Sequence, residues 1–446
     1  MSDPKEVAKL ALQRATKAGA TEAEVFLQTN RELTVNVRDG RAESVKQADS
    51  RGLGLRVMKE GKSALVYTSD FRPEAIGSLA ERAVALAQYA PPDPANVIAA
   101  PASTPRPALE LHDPAVDQLA PDKVIALAVE AEKAARAVER IRATQFCGAT
   151  SQTGEVWVVN TKGIEAHDPA TVVAVFVGVL ADDAEGKQRT GAEGSTQRFL
   201  ADLRPPEEIG REAGRRAARK VGAKKVPTTK LPVLMHADVV SGWLQSMFSA
   251  FSGEQVFKKA SYLTEKLDQQ VASPLITVVD DPLRRRALGG KANDHEGVPT
   301  QRMVLLDKGV VKGFVYNLRW ASKAGKQSTG HALRSYTVQP GIGPNSLYLE
   351  NGPTPVADMI KGLDRGFYLT DTGAFGYDPA TGGWSYQAQG LMIEKGEITT
   401  PVADVTLASD TLTMLKGVQK VGNDLVFDGS VSAPHLLIEE MALSGT

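Results

Sequence analysis

Runs of alternating apolar and polar residues, punctuated by glycine, recur through most of this chain, and that rhythm restricts it to architectures built on antiparallel sheet. In the second half, strands are expected at 275–279, 302–306, 310–316, 346–349, 366–370, 390–394, 396–398 and 436–443. Asp307-Lys308-Gly309 and Glu394-Lys395-Gly396 each join two apolar runs, which predicts the same kind of hairpin at two points. A large, mostly antiparallel sheet or barrel-like sandwich follows, covered by short helices at 356–361 and 411–421.

The first half mixes periods. Asp3-Pro4 opens an amphipathic helix with Val7, Leu10, Ala11 and Ala15 on one face and Gly19 as its stop. Segments 23–29, 33–37, 43–47, 53–58 and 62–68 alternate as strands of an antiparallel meander, with turns expected at Asn30-Arg31, Asp39-Gly40 and Ser50-Arg51-Gly52. Helical spacing returns over 72–88. Residues 89–107 are rich in proline and alanine, the composition of an extended connector rather than a packed element. A helix over 122–138 precedes strands at 141–147, 155–160 and 171–180, turning at Thr153-Gly154 and Thr161-Lys162-Gly163. Residues 182–196 read as a polar, glycine-rich loop, and 205–221 as a basic helix with a solvated face, acidic at its start and basic at its end as the helix dipole favours. The expected class is α+β. The expected divisions are a helix-meander-helix unit (1–90), a linker (91–107), a central α/β unit (108–225) packed with the first as one N-terminal domain, and a β-rich C-terminal domain (226–446).

Composition narrows function. The 446 residues carry a formal charge of −1, with 52 basic against 53 acidic side chains, so no bulk field draws nucleic acid or an anionic membrane. The run Arg284-Arg285-Arg286 follows Asp280-Asp281, which suggests local compensation on a solvated loop. The N-terminal stretch lacks the apolar core of a signal peptide and no segment approaches a membrane span, so a cytoplasmic location is expected. Cys147 is the single cysteine, which excludes an internal disulfide and a cysteine zinc cluster, and its apolar setting suggests a buried structural thiol.

The chemistry-bearing stretch is 231–243, LPVLMHADVVSGW, where an apolar strand hands over at His236 to a helix from Ala237. A zinc peptidase helix at this point would carry a glutamate and a second histidine. Here the chain has Ala237, Asp238, Val239, Val240 and Ser241, so His236 is only a weak catalytic candidate. His112, His167, His236, His295, His331 and His435 lie too far apart to share a helical turn, so no metal site is expected. His295-Glu296 begins like a zinc-peptidase signature, but Gly297 and Pro299 make it a loop. No nucleophile elbow or phosphate-binding loop is present; Gly52-Leu53-Gly54 and Gly341-Ile342-Gly343 read as turns. Residues 370–390 combine glycines with Phe375, Tyr377, Trp384 and Tyr386. Phe375, Tyr377 and Trp384 are candidate contacts for an extended peptide added to a sheet edge, against the alternative of a loop packing its own aromatics.

Three blocks, SRGLGLRVMKEGKSALVYTSDF, NDHEGVPTQRMVLLDKGVVKGFVYNLRWASKAGKQSTGHA and GLMIEKGEITTPVADVTLASDTLTMLKGVQKVGND, resemble the TldD/PmbA family in order and over nearly the whole chain. The resemblance implies an N-terminal α/β domain, a C-terminal domain built on a large, mostly antiparallel curved sheet, and a cytosolic proteolytic system in which two related subunits enclose a cavity. In the family's catalytic subunit a His-Glu-x-x-x-His helix and a C-terminal cysteine bind zinc and cut flexible peptides. His236 matches the first histidine, Ala237 stands for the glutamate and Ser241 for the second histidine, with no cysteine near the C-terminus. The chain therefore looks like the PmbA/TldE branch: a non-catalytic subunit without metal or cofactor of its own, paired with a zinc-bearing TldD-like partner or with itself, and acting on flexible peptide. Two other expectations stand beside it, a self-sufficient hydrolase using His236 with Asp238 and a homodimeric peptide-binding protein without proteolytic activity. The charge balance lends no support to the family's association with DNA gyrase.

Overall fold

A computed structural model describes residues 3–103, 106–373 and 376–445. The first half is one six-stranded antiparallel sheet, ordered Lys62–Thr68, Arg41–Lys59, Glu22–Arg38, Ile141–Asn160, Glu165–Asp182, Gln188–Gln197. Helices Pro4–Lys17 and Pro73–Ala87 cover one end of it, around Val25, Leu27, Leu53, Leu55 and Ile76; Pro121–Arg136 and Pro206–Ala218 cover the other, around Val35, Val175, Val177 and Ile209. Asp3 caps the first helix by accepting from the Lys5 amide at 2.9 Å, as the sequence predicts.

Expected turns at Asn30-Arg31, Ser50-Arg51-Gly52 and Thr153-Gly154 are instead strand interior. Asn30 pairs with Ser50 on one side and Gly154 on the other, so six expected strand segments merge into three strands of 17 to 20 residues. Polar side chains resemble turn residues locally, but here their backbones are satisfied by the neighbouring strands while the exposed side chains of Arg31, Ser50 and Arg51 meet water. Gly52-Leu53-Gly54 is strand as well, and a Cβ at Gly54 would lie 2.3 Å from the Tyr336 carbonyl oxygen, where the C-terminal half crosses the sheet. The expected loop at 182–196 is a short 3₁₀ turn and then the edge strand Gln188–Gln197. Its Gly191 lets the Pro206–Ala218 helix approach: a Cβ there would fall 2.2 Å from the Ala217 nitrogen.

The connector at 89–107 has no helix or strand among its described residues, yet it is not free. Ala95, Ile98 and Ala99 are buried, the Val97 carbonyl accepts from Arg56 Nη2 at 3.2 Å and the Ala99 carbonyl from Asn160 Nδ2 at 2.8 Å. Proline removes donors, but the remaining carbonyls still bind the sheet as a strap. Cys147 is buried with its thiol pointing to the Ala128 carbonyl at 3.3 Å, and burial pushes its pKa up to about 12. A thiol reagent that labels the denatured chain completely is therefore expected to leave the native chain unlabelled over the same time, measured by intact mass.

In the second half, strands Glu397–Asp410, Gly383–Glu394, Arg365–Thr372, Thr229–Met235 and Leu436–Ser444 pair in that order, and the first also pairs with the last, so the sheet closes on itself; Val418–Val421 adds beyond. Among the described strands of this sheet, only Thr229–Met235 and Arg365–Thr372 pair in parallel. A smaller sheet contains Val278–Asp280, Met303–Asp307 and Leu347–Leu349. The fold is α+β, with a curved, mostly antiparallel C-terminal sheet. Both predicted hairpins form, with Lys308 and Gly309 at φ 46° and 80° and Lys395 and Gly396 at φ 54° and 78°, the left-handed pair a type I′ turn requires. Residues 411–421, expected as one helix, divide into helix Thr411–Lys416 and strand Val418–Val421. Helix Ala237–Met247 packs Val240, Trp243, Leu244 and Met247 into this core. Among the described residues no helix is long and apolar enough to cross a membrane.

Candidate functional site

His236 sits where the Thr229–Met235 strand gives way to the Ala237–Met247 helix, as its sequence position predicts. Its extended backbone, φ −62° and ψ 147°, makes it the N-cap, and its Nδ1 accepts from the Asp238 amide at 3.2 Å. Because Nδ1 accepts, the ring proton resides on Nε2. Burial, only partly opposed by the Asp238 carboxylate, pulls the His236 pKa down to about 4, so the ring is neutral at neutral pH.

A second imidazole lies beside it. Antiparallel pairing of Leu436 with Met235 carries His435, just before its strand, alongside His236, just after its own; the ring centroids are 4.7 Å apart, edge to face. His435 is held on both sides, with Nδ1 2.6 Å from Asp424 Oδ2 and Nε2 2.9 Å from the Tyr368 hydroxyl. Burial works against the Asp424 carboxylate, but its hydrogen bonds and attraction to His435 win and lower its pKa; burial pushes Tyr368 up to about 12. Tyr368 arrives through its strand's parallel register, opposite Leu234.

The N-terminal half supplies the facing wall. Arg216 contacts Asp238 Oδ2 and Glu193 Oε2 at 2.7 Å each and Glu212 Oε1 at 3.3 Å. The basic helix is therefore not simply a solvated face, because sheet and helix bring three carboxylates to this one guanidinium. Arg204 joins Glu193 at 2.5 Å to Asp428 at 3.2 Å, and Asp428 also accepts from the Thr196 amide at 2.8 Å. Between these walls lies a cavity of about 730 Å³, lined by His236, Asp238, Ser241, Asp424 and His435 together with Phe146 and Phe176.

These side chains do not fit a zinc ion as they stand. His236 spends its Nδ1 lone pair on the helix cap, both nitrogens of His435 are engaged, and Ser241 Oγ donates to the Ala237 carbonyl at 2.8 Å. Among the described residues no three His, Cys, Asp or Glu side chains are grouped to hold a metal.

Of the aromatic candidates, Tyr377 and Trp384 do not line this cavity. Tyr377 and Trp384 are 9% and 2% exposed in the C-terminal core; Tyr377 donates to the Tyr262 hydroxyl at 3.1 Å and Trp384 packs on Tyr386. Their faces are closed to a peptide, because the chain here turns Tyr377, Trp384 and Tyr386 inward; Phe375 lies outside the described residues. The preceding acids form no ion pair with Arg284-Arg285-Arg286, although Asp281 acts on Arg284 through space. Asp280 is fully buried, accepting from the Asn345 and Ser346 amides, while Glu110 and Asp202 come from elsewhere to pair with Arg285 and Arg286. His295-Glu296 is a loop as expected, with Glu296 fully buried. Sequence reasoning missed His435, Asp424, Tyr368 and Arg216. The available signal was a histidine flanking each of two apolar strands, but nothing local says that those strands are neighbours.

Residues 23–87, 114–221 and 228–445 match, in turn, domain 1, the central domain and the C-terminal domain of the PmbA/TldA metallopeptidases. Over 426 residues, 95% of this chain and 92% of the relative, the sequence is 28% identical to the metalloprotease PmbA of Escherichia coli O157:H7. It is 26% identical over 460 residues to a metalloprotease TldD homolog of Haemophilus influenzae, covering 95% and 93%. A solved structure from Bacteroides thetaiotaomicron, described as a modulator of DNA gyrase, superposes with a TM-score of 0.91 at 26% identity over all of both chains. TldE from Thermococcus kodakarensis shares the fold, with a TM-score of 0.88 at 22% identity over 98% of this chain and 100% of that one.

Proposed function

From the premise that this chain belongs to the PmbA/TldA metallopeptidase family, also called the TldD/PmbA family, we propose that it is the PmbA/TldE-like subunit of a two-component zinc metallopeptidase, shaping the cavity and holding flexible peptide while a TldD-like partner supplies the metal. The observation that carries this reading is the engagement of His236: its one available lone pair caps a helix whose next residues are Ala237 and Ser241 instead of a general base and a second ligand. Zinc, when bound in the partner, would supply the activated water. This chain would contribute a neutral Nε2–H donor at His236 for a peptide carbonyl, and Arg216 would hold the Asp238 carboxylate away from that position.

One observation favours a second reading. His236 and His435 stand 4.7 Å apart, so two imidazoles would share a metal if both gave up their present partners, making the chain a hydrolase by itself. Metal analysis of the purified chain, alone and mixed with a TldD-like subunit, with a flexible peptide in the same tubes, separates the two. The expected result is zinc and cleavage only in the mixture. Stoichiometric zinc in the isolated chain, lost in His236→Ala, would sink the partner assignment.

A further inference from the structure

A second cavity, of about 390 Å³, shares walls with the first. Thr196 lines the His236–His435 cavity and the next residue, Gln197, lines the other; along the segment 426–429, Val426 and Asp428 face the first, Phe427 and Gly429 the second. The rest of the second cavity is dominated by Arg284, Arg285 and Arg286. Of these three guanidiniums, Arg285 and Arg286 are reached by the carboxylates of Glu110 and Asp202.

Arg284 is left over. Among the described residues it forms no ion pair. Its guanidinium lies over the Phe427 ring, 3.2 Å from the centroid, with the Tyr348 ring at 5.7 Å. The acid on its own loop, Asp281, is turned to the Leu283 amide at 3.1 Å and to Arg302 at 3.9 Å. Burial lowers the Arg284 pKa, and Tyr348 and the nearby Asp281 carboxylate, which forms no direct pair with it, oppose this only in part. A planar guanidinium fixed against an aromatic ring, with its donors unspent on carboxylate, is organised for bidentate recognition of an oxyanion.

We propose that this arginine-walled cavity is an anionic subsite that takes a carboxylate of the peptide held in the adjoining His236–His435 cavity, either the C-terminal α-carboxylate or an Asp or Glu side chain. The inference rests on the peptide-handling reading above and narrows it to acidic peptides or free C-termini. A phosphate ligand would also satisfy the guanidinium, but the common wall with the peptide cavity favours a group carried by the peptide itself.

The test is binding of a fluorescein-labelled flexible peptide containing one internal Glu to the full chain, alone and with a TldD-like subunit, by anisotropy. Three versions are compared: free C-terminus, C-terminal amide, and Glu replaced by Gln. Losing the recognised carboxylate should weaken binding about tenfold, and the version that loses affinity identifies the source. Arg284→Gln should bring the unmodified peptide down to that weaker level, Arg284→Lys should recover part of the loss, and Arg285→Gln, whose charge Glu110 already neutralises, should change little. Equal binding of all three peptides, or discrimination that persists in Arg284→Gln, overturns the subsite and leaves the peptide-handling reading intact. Failure of every peptide to bind with or without the partner overturns both.

Discussion

Arg56→Met is expected to cost about 3–5 kcal/mol of stability, measured by chemical denaturation of the full chain, because it breaks a buried ion network between the two halves of the molecule. Arg56 lies 4% exposed on the N-terminal sheet, with Glu24 Oε1 at 3.2 Å and, from the C-terminal half, Glu296 Oε1 at 3.4 Å. Arg334 completes the set, 2.7 Å from Glu24 and bonded through Nε to the His295 carbonyl at 3.0 Å. Methionine of similar length fills the space but leaves Glu296 without its cation. Burial already pushes Glu296 up to about 8, Arg56 being the main opposing influence. Its folded pKa thus exceeds the unfolded one, so its contribution to stability is fully present below the ordinary carboxyl range and is lost as pH rises through about 8. Removing Arg56 should extend this loss to higher pH. A variant as stable as the parent at pH 8 would show that the network contributes nothing to joining the halves.

Trp384→Ala is expected to destabilise the chain by about 3–5 kcal/mol and to leave peptide affinity of the folded fraction unchanged. The side chain is 2% exposed and its indole packs on Tyr386, with ring centroids 4.6 Å apart, inside the C-terminal core. Truncation opens a void where the closed sheet cannot collapse. If Trp384 were instead a peptide contact, the same substitution would lower affinity at little cost in stability. Denaturation and anisotropy on one preparation separate the two outcomes.

These residues also mark how far the sequence is legible. The glycines and aromatics of 370–390 are compatible with an open binding edge or with a self-packed loop, and composition does not decide between them. The decision came from Tyr262, more than a hundred residues earlier, which accepts the Tyr377 hydroxyl. The long strands were misread for a related reason. Asn30, Ser50 and Gly154 are turn-like one at a time, and become strand interior only because they lie opposite one another in three adjacent strands.

What the sequence alone determined is what neighbouring residues settle among themselves. Asp3-Pro4 starts a helix, Lys308-Gly309 and Lys395-Gly396 turn hairpins through left-handed backbone, and His236 stands between a strand and a helix that lacks the glutamate and second histidine of a zinc site. The tertiary structure alone decided what stands beside His236. His435, Asp424, Tyr368 and Arg216 come from four separate places in the chain, brought together by strand register and by packing of a helix from the other half. The physical reason is that backbone preference acts within a few residues. Charge pairing, burial and sheet closure act between surfaces whose adjacency no local pattern records.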